Sequence, residues 1–213
     1  FDFSSYAERK NPHAVLNAFL NLIKAEPKGR MHLVLKFKGS SADPAQVDKL
    51  KKLVGPYRDQ ITLMDQTLSV NETSNLIRNV DCFVSLHRSE GFGLGLAEAM
   101  MVGTPVISTG WSGNMDFMSE ETAWLVNYKL VPLKTNDYPF GTGQQWAEPS
   151  IDHAEKLMKH VWQNHDEALA RARVASREIR RLTAPRAVGL KYLRQLEKSP
   201  ASTALEQFET AGA

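Results

Sequence analysis

Short apolar runs alternate with helical patterns along the first 126 residues of the chain. The runs that predict strands are 1–4, 31–37, 61–64, 81–87, 105–108 and 123–126. Between them, apolar residues recur at the helical period of 3.6. Strands that alternate with helices of this length are typical of right-handed β-α-β units and a parallel sheet. We therefore predict an α/β fold, a Rossmann-like parallel sheet with helices on both faces.

Helix-start signals support this division of the chain. Asn11-Pro12 supplies an N-cap and a first-turn proline for a helix that reaches about Ala25. Ser69 and Glu72 have the spacing of a capping box, which predicts the start of a shorter helix. Both helices follow a predicted strand, as β-α-β units require.

The C-terminal part of the chain has a different pattern. Residues 127–149 contain several prolines and glycines, which predicts an irregular segment. One long helix is predicted over 152–181, and a further helix over 185–196. We divide the chain into a ligand-binding domain, 1–182, and a C-terminal helix with a weakly ordered tail, 183–213.

A glycine-rich loop lies where the fourth predicted strand ends. Glu90 and Glu98 flank Gly91, Gly93 and Gly95. Ligands of parallel sheets bind at the carboxyl ends of the strands, and a glycine loop before a helix N-terminus favours an anion. Glu98, one turn into the helix, could accept hydrogen bonds from a ribose diol, and Glu90 could face a sugar. Considered alone, Glu98 could be an ordinary surface residue and Glu90 a turn residue, and it is their joint placement around the glycines that favours a ligand site.

Two adjacent cations are expected at the same edge of the sheet. Arg9 and Lys10 come just before the helix that starts at Pro12. A helix N-terminus repels cations, so an anionic ligand such as a diphosphate would explain their position. A solvated basic pair is the alternative.

Other chemistries fit the sequence less well. The glycines do not follow the first strand, as a dinucleotide-binding loop requires, and neither a P-loop nor a metal-binding histidine spacing occurs. We therefore expect no metal and no cofactor.

A net charge of +2 argues against a nucleic-acid partner, and no apolar run is long enough for a transmembrane segment. The single cysteine, Cys82, lies in a predicted strand and is interpreted as an inert core thiol.

The segment EGFGLGLAEAMMVGTPVIS, residues 90–108, resembles the E-x7-E motif of the retaining GT-B glycosyltransferases, family 4. The segment RKNP, residues 9–12, resembles the part of these enzymes that binds the donor diphosphate. Residues 111–118 and 145–152 resemble segments of some members. The resemblance covers roughly residues 1–182, and it implies the C-terminal, donor-binding domain of a GT-B fold.

The resemblance implies roles for individual residues. Arg9 and Lys10 would stabilise the leaving diphosphate, and Glu90 would contact the donor sugar. Glu98 would bind the ribose. The backbone of the loop would contact sugar hydroxyls and phosphate through Gly91, Phe92, Gly93 and Leu94. In this family the basic pair is often several residues apart, whereas here it is adjacent, which favours Lys10 over Arg9.

The implied reaction is transfer of a hexose from a UDP- or GDP-linked donor to an acceptor hydroxyl, with retention at the anomeric carbon. The N-terminal acceptor domain is expected to lie outside this chain, so the isolated chain is expected to transfer sugar poorly. A non-catalytic nucleotide-sugar-binding module and a GT-B-fold sugar-nucleotide epimerase remain as alternatives. We expect a cytoplasmic location, with peripheral membrane association through the full-length protein as an open alternative.

Overall fold

The computed structural model describes residues 1–134 and 137–197. The strands are β1 Leu33–Phe37, β2 Ile61–Asp65, β3 Phe83–Ser85, β4 Val106–Thr109, β5 Trp124–Val126, β6 Tyr128–Pro132 and β7 Gln145–Pro149. The helices are α1 Ala7–Lys10, α2 Pro12–Ala25, α3 Pro44–Val54, α4 Val70–Arg78, α5 Leu94–Val102, α6 Ile151–Gln163, α7 His165–Thr183 and α8 Pro185–Glu197.

Five of the strands are parallel, as the sequence predicts. β1 pairs with β2, and Leu33 lies opposite Ile61. β4 lies between β3 and β5 and is parallel to both. Within the described residues these ladders form two separate parallel sheets, β1–β2 and β3–β4–β5, whereas the sequence predicted one. The candidate site follows the carboxyl end of β3.

Helices cover both faces of the parallel strands, which confirms the predicted α/β architecture. On one face α2 and α6 pack together, and Leu22 and Val161 are buried there. On the other face α4, α5 and α7 form a second apolar cluster, which contains Met100 and Ile179. The capping box of α4 is present, because Ser69 and Glu72 each bind the other's backbone N–H.

The predicted strand over 1–4 is wrong in its extent. Only Asp2 forms a bridge, parallel to Lys38, and the chain then enters a 3₁₀ turn over Phe3–Ser5. The turn begins there because the Asp2 carboxylate accepts hydrogen bonds from the backbone N–H and the hydroxyl of Ser4. A local side-chain bond of this kind competes with the strand ladder.

The predicted irregular segment over 127–149 is also wrong. It contains an antiparallel hairpin of β6 and β7, in which Tyr128 lies opposite Pro149. Pro132 and Pro149 both end their strands, where a missing N–H disturbs the ladder least. The N–H of Ala147 donates to the carbonyl of Arg88, which joins the hairpin to the segment after β3.

The single helix predicted over 152–181 is two helices, α6 and α7, that meet at Asn164. The backbone N–H and the side-chain amide of Asn164 both donate to the carbonyl of His160, which ends α6. α8 matches the further helix predicted over 185–196, and it contains no buried residue. The tail predicted to be weakly ordered lies outside the described residues, and the domain division at 182 stays a prediction.

Candidate active site

The loop between β3 and α5 lies at the carboxyl edge of the sheet, as predicted. Gly93 is the N-cap of α5 and has a φ of 92°, in the left-handed region that favours glycine. No side chain caps this helix, so the N–H groups of its first turn are not used by an N-cap side chain. The predicted anion-facing loop and helix N-terminus are therefore both present.

Glu90 makes ion pairs with both predicted cations. The Lys10 ammonium donates to Oε1 at 2.5 Å, and Arg9 Nη1 donates to Oε2 at 3.3 Å. The Glu90 side chain is only 11% exposed. Burial raises its pKa, but the hydrogen bond and the charge of Lys10 outweigh burial, so the pKa lies below the ordinary range. Glu90 is therefore ionised at neutral pH.

Arg9 is held against the loop by several acceptors. It donates to the carbonyl of Ser89 at 2.8 Å and to the hydroxyl of Ser5 at 2.7 Å. Its Nε is buried without a partner. Lys10, in contrast, has Glu90 as its only side-chain partner among the described residues. The Lys10 ammonium is therefore the easier of the two cations to redirect toward a ligand.

The backbone of Glu90 is fixed by the turn that follows β4. Its N–H donates to the Ser112 hydroxyl at 2.8 Å, and its carbonyl accepts from the N–H of Gly113 at 3.1 Å. A Cβ at Gly113 would lie 2.0 Å from the carbonyl oxygen of Gly91, so a side chain does not fit. Ser112 has a φ of 74°. This strained, close-packed turn determines where the Glu90 carboxylate lies.

His87, which lies between β3 and the glycine loop, forms hydrogen bonds with the turn that follows β4. It is fully buried, and its Nε2 lies 3.1 Å from Asn114 Oδ1 and 3.2 Å from the carbonyl of Trp111. Two acceptors at Nε2 mean that Nε2 carries the proton, while Nδ1 accepts from the Ser85 hydroxyl. Burial lowers the pKa of His87, despite these hydrogen bonds. His87 is thus a neutral structural hydrogen bonder.

The structure brings most of the predicted site residues together. A cavity of about 500 Å³ is lined by Lys10, Glu90, Phe92, Gly93 and Leu94. Phe92 and Leu94 are 43% and 70% exposed, so both are accessible to a ligand.

Three predicted residues do not line this cavity, and one of them, Arg9, contacts Glu90 at its edge. Glu98 is exposed on α5 and does not line it. Gly91 is exposed too, and its carbonyl packs against Gly113. The structure thus places Glu98 on the helix that begins at the loop, without joining it to the Glu90 cluster.

Arg88 is a site residue that the sequence reasoning missed. It donates to Glu148 at 2.6 Å and to Glu8 at 3.0 Å, and its guanidinium lies 5.1 Å from the centroid of the Trp146 ring. These contacts connect α1 and the β6–β7 hairpin to the segment just before the glycine loop. The position of Arg88 directly before the glycine loop could have indicated a role in the site. Its partners, Glu148 and Glu8, lie 60 and 80 residues away in the sequence, so no local pattern identifies them.

The described part of the chain contains neither a metal-binding cluster nor a membrane-spanning helix. No three His, Cys, Asp or Glu side chains converge to hold a metal ion within residues 1–134 and 137–197. None of the described helices is both long and apolar enough to cross a membrane.

Sequence comparisons connect this geometry to known proteins. Residues 3–132 match the family model described as glycosyl transferases group 1. The Bacillus subtilis (strain 168) protein named "Putative glycosyltransferase YtcC" is 28% identical over 119 residues, which are 55% of this chain and 29% of that protein.

Structural comparisons show the same fold. Anabaena Alr3699/HepE in complex with UDP superposes with a TM-score of 0.66 at 12% identity, over 90% of this chain and 46% of that one. The C-terminal domain of LpcC, a group 1 family protein from Francisella tularensis, superposes with a TM-score of 0.61 at 16% identity, over 82% and 80%. The chain thus spans less than half of HepE and most of a C-terminal domain. Since the family model covers more than half of its residues, this chain belongs to the glycosyl transferases group 1 family.

Proposed function

We propose that this chain is the donor-binding domain of a retaining glycosyltransferase that transfers a hexose from a UDP- or GDP-linked donor to an acceptor hydroxyl. The observation that carries the proposal is the convergence of Lys10, Arg9 and Glu90 beside the uncapped N-terminus of α5. UDP is bound in HepE, which has the same fold.

The cations would bind the donor diphosphate. Lys10 and Arg9 both donate hydrogen bonds to the Glu90 carboxylate. Two charged donors therefore already lie close together where a diphosphate would bind. Lys10 would transfer its hydrogen bond from Glu90 to a phosphate oxygen, while Arg9 stays anchored to Ser5 and Ser89. Glu90 would then be free to accept hydrogen bonds from the hydroxyls of the donor sugar.

The same residues would assist the chemical step. When the bond between the sugar and the diphosphate breaks, negative charge develops on the leaving group, and Arg9 and Lys10 would stabilise it. We propose that they do so without a metal ion. In comparable sites, loss of one such donor costs about 2.7–4 kcal/mol of transition-state stabilisation.

The glycine loop and α5 would hold the rest of the donor. Gly91, Phe92, Gly93 and Leu94 would contact sugar hydroxyls and phosphate, since an uncapped helix start offers free N–H groups. Glu98 would accept two hydrogen bonds from the ribose diol. Its carboxylate is exposed and forms no hydrogen bond with the rest of the described chain, so it is available for this role.

The acceptor would bind to a second, N-terminal domain of the full-length polypeptide. We propose that this chain alone binds the donor and transfers sugar poorly. We also propose a cytoplasmic location, with any membrane association supplied by the full-length protein.

Thermal denaturation in the presence of different nucleotides would test the donor class. We expect UDP or GDP, and their sugars, to raise the melting temperature, because a ligand that binds only the folded state stabilises it. The matching nucleoside monophosphate should have a much smaller effect, since it offers Lys10 and Arg9 one phosphate fewer. A melting temperature that no nucleoside diphosphate changes at about 5 mM would contradict the proposal.

The stereochemistry requires the full-length protein. NMR of the product should show the anomeric configuration of the donor, as a retaining enzyme gives. An inverted product would overturn the retaining assignment while leaving donor binding intact.

A further inference from the structure

Arg88 has a largely buried side chain that does not line the candidate cavity. The side chain is 15% exposed, and it donates four hydrogen bonds to residues that are distant in the sequence. Nε and Nη2 donate to the two carboxylate oxygens of Glu148 at 2.6 Å and 3.2 Å. Nη1 donates to the carbonyl and to the carboxylate of Glu8 at 2.7 Å and 3.0 Å. A guanidinium that is held in this forked geometry has a fixed orientation.

The acceptors on α1 are carbonyl groups at the C-terminal end of a very short helix. α1 has four residues, and the last carbonyls of a helix have no partner inside it. Arg88 supplies partners for two of them. Its Nη1 donates to the carbonyl of Glu8, and its backbone N–H donates to the carbonyl of Arg9 at 2.9 Å. The helix dipole also favours a cation at this end.

The position of α1 depends on contacts with other segments. A helix of one turn is not stable alone in water. α1 lies between Tyr6 and Asn11, which have φ angles of 61° and 52°, and a positive φ is uncommon for residues other than glycine. The Tyr6 ring packs against the ring of Tyr138, which lies between β6 and β7, at a centroid distance of 4.8 Å. Contacts with the hairpin and its connecting segment therefore hold α1 at its start, through Tyr6, and near its end, through Arg88.

Arg88 joins the two segments that carry the charged residues of the candidate site. Arg9 and Lys10 are the last two residues of α1, and both donate to the Glu90 carboxylate. Glu90 follows Arg88 by two residues. The carbonyl of Arg88 accepts from the N–H of Ala147 at 3.0 Å, which fixes this segment on its other side. The distance between the two cations and the carboxylate therefore depends on Arg88.

We propose that Arg88 is a positioning residue of the candidate site, which holds the end of α1 so that the side chains of Arg9 and Lys10 converge on one anion. Arg88 acts through α1 and does not contact the ligand. In the ligand-free site the anion is the Glu90 carboxylate. That the anion becomes the diphosphate of a donor when ligand binds rests on the proposed function.

Arg171 provides a matched control, because its contacts are of the same kinds and lie outside the site. Its guanidinium donates to the carbonyl of Ala123 at 3.3 Å and to the carboxylate of Glu167 at 3.2 Å. It also lies 4.2 Å from the centroid of the Trp124 ring, and Arg88 likewise lies over a tryptophan ring. Arg88→Gln and Arg171→Gln therefore remove similar interactions, and only the first should disturb α1.

Titration of Glu90 tests the positioning without any nucleotide. Burial raises the pKa of Glu90, but the hydrogen bond and the charge of Lys10 outweigh burial in the original chain. We expect Arg88→Gln to raise the pKa of Glu90, since the cations are then no longer held against the carboxylate. Arg171→Gln should leave this pKa unchanged. Carboxyl ¹³C NMR as a function of pH measures it, and the spectrum of Glu90→Gln assigns the signal.

Nucleotide affinity tests the consequence for binding. We expect Arg88→Gln to weaken the binding of UDP or GDP about tenfold in calorimetric titration, and Arg171→Gln to change it less than about twofold. Arg88→Lys keeps the charge but not the fork, so it should give values between those of the original chain and Arg88→Gln. If Arg88→Gln does not fold, Arg88→Lys provides the comparison with Arg171→Gln.

The two measurements separate this proposal from the proposed function. A raised pKa of Glu90 in the Arg88 variants alone would support the positioning role even if no nucleotide bound to the original chain, and only the proposed function would then fail. An unchanged pKa of Glu90 in both Arg88 variants would overturn the positioning role, whatever the nucleotide affinity. Equal effects in Arg88→Gln and Arg171→Gln would overturn it too, because a general loss of stability would then explain both.

Discussion

The ammonium of Lys10 lies 2.5 Å from Oε1 of Glu90, although the two residues are 80 positions apart in the sequence. This ion pair joins the segment before α2 to the glycine loop. In the ligand-free site, the Glu90 carboxylate is bound to Lys10, which is the cation that would bind a donor diphosphate.

Replacing Lys10 should weaken nucleotide binding strongly. Lys10→Met keeps most of the side chain but removes the charge, and we expect nucleoside diphosphate affinity to fall about 10- to 100-fold, since a hydrogen bond to a charged group contributes about 1.5–3 kcal/mol. Calorimetric titration measures this. Lys159→Met is the matched control, since Lys159 pairs with Glu26, the residue that follows α2, outside the cavity around Glu90. Equal losses in both variants would contradict a specific role for Lys10.

Replacing Glu98 should affect binding without affecting stability. Glu98 is exposed, so Glu98→Gln should leave the melting temperature within about 1 °C while reducing nucleotide affinity about tenfold, the effect of losing one charge-assisted hydrogen bond. Glu120→Gln, at another exposed position, should change neither quantity. Unchanged affinity in Glu98→Gln would make Glu98 an ordinary surface residue.

The turn after β4 should tolerate no side chain at Gly113. Gly113→Ala places a Cβ 2.0 Å from the carbonyl of Gly91, so the Glu90 loop must shift. We expect a loss of about 1–3 kcal/mol in the free energy of unfolding, measured by urea denaturation, and weaker nucleotide binding. Gly55→Ala is the control, because nothing lies within 4 Å of its Cβ position. Equal stability of the two variants would show that the turn is not rigid.

Stability should fall in mild acid because of His87. Its pKa in the folded protein is lowered by burial, whereas an unfolded histidine titrates near 6.5. Below about pH 6.5 the unfolded state therefore binds more protons than the folded state. The His87 contribution is complete above that pH and is lost as the pH falls through the folded pKa, at up to about 1.4 kcal/mol per pH unit.

Urea denaturation at pH 7.5 and 5.5 would measure this slope. His87→Gln should be less stable at pH 7.5 but should lose less stability on acidification. His165→Gln, at an exposed histidine, should behave like the original chain. An unchanged slope in His87→Gln would contradict a buried neutral imidazole.

The parallel part of the fold was predictable because its strands are buried runs between amphipathic helices. The hairpin of β6 and β7 was missed because Pro132 and Pro149 resemble strand breakers, and both lie at strand ends where they do little harm. The break between α6 and α7 was missed because Asn164 fits inside a helical pattern, and only its bonds to His160 show the end.

The location of the candidate site was predictable from the sequence, whereas the contacts within it were not. Arg9, Lys10 and Glu90 could be assigned to one sheet edge, since the carboxyl ends of parallel strands meet there. Their mutual pairing, and the clamp of Ser112 and Gly113 on the Glu90 backbone, depend on contacts between distant segments that no local pattern encodes.

We propose above all that the cluster of Arg9, Lys10 and Glu90 binds the diphosphate of a sugar nucleotide. Calorimetric titration of this chain with UDP, GDP and their sugars tests it most directly. We expect saturable binding of at least one of them, with a dissociation constant below about 1 mM, and much weaker binding in Lys10→Met. Absence of binding to all of them at millimolar concentration, by a chain that is folded, would contradict it.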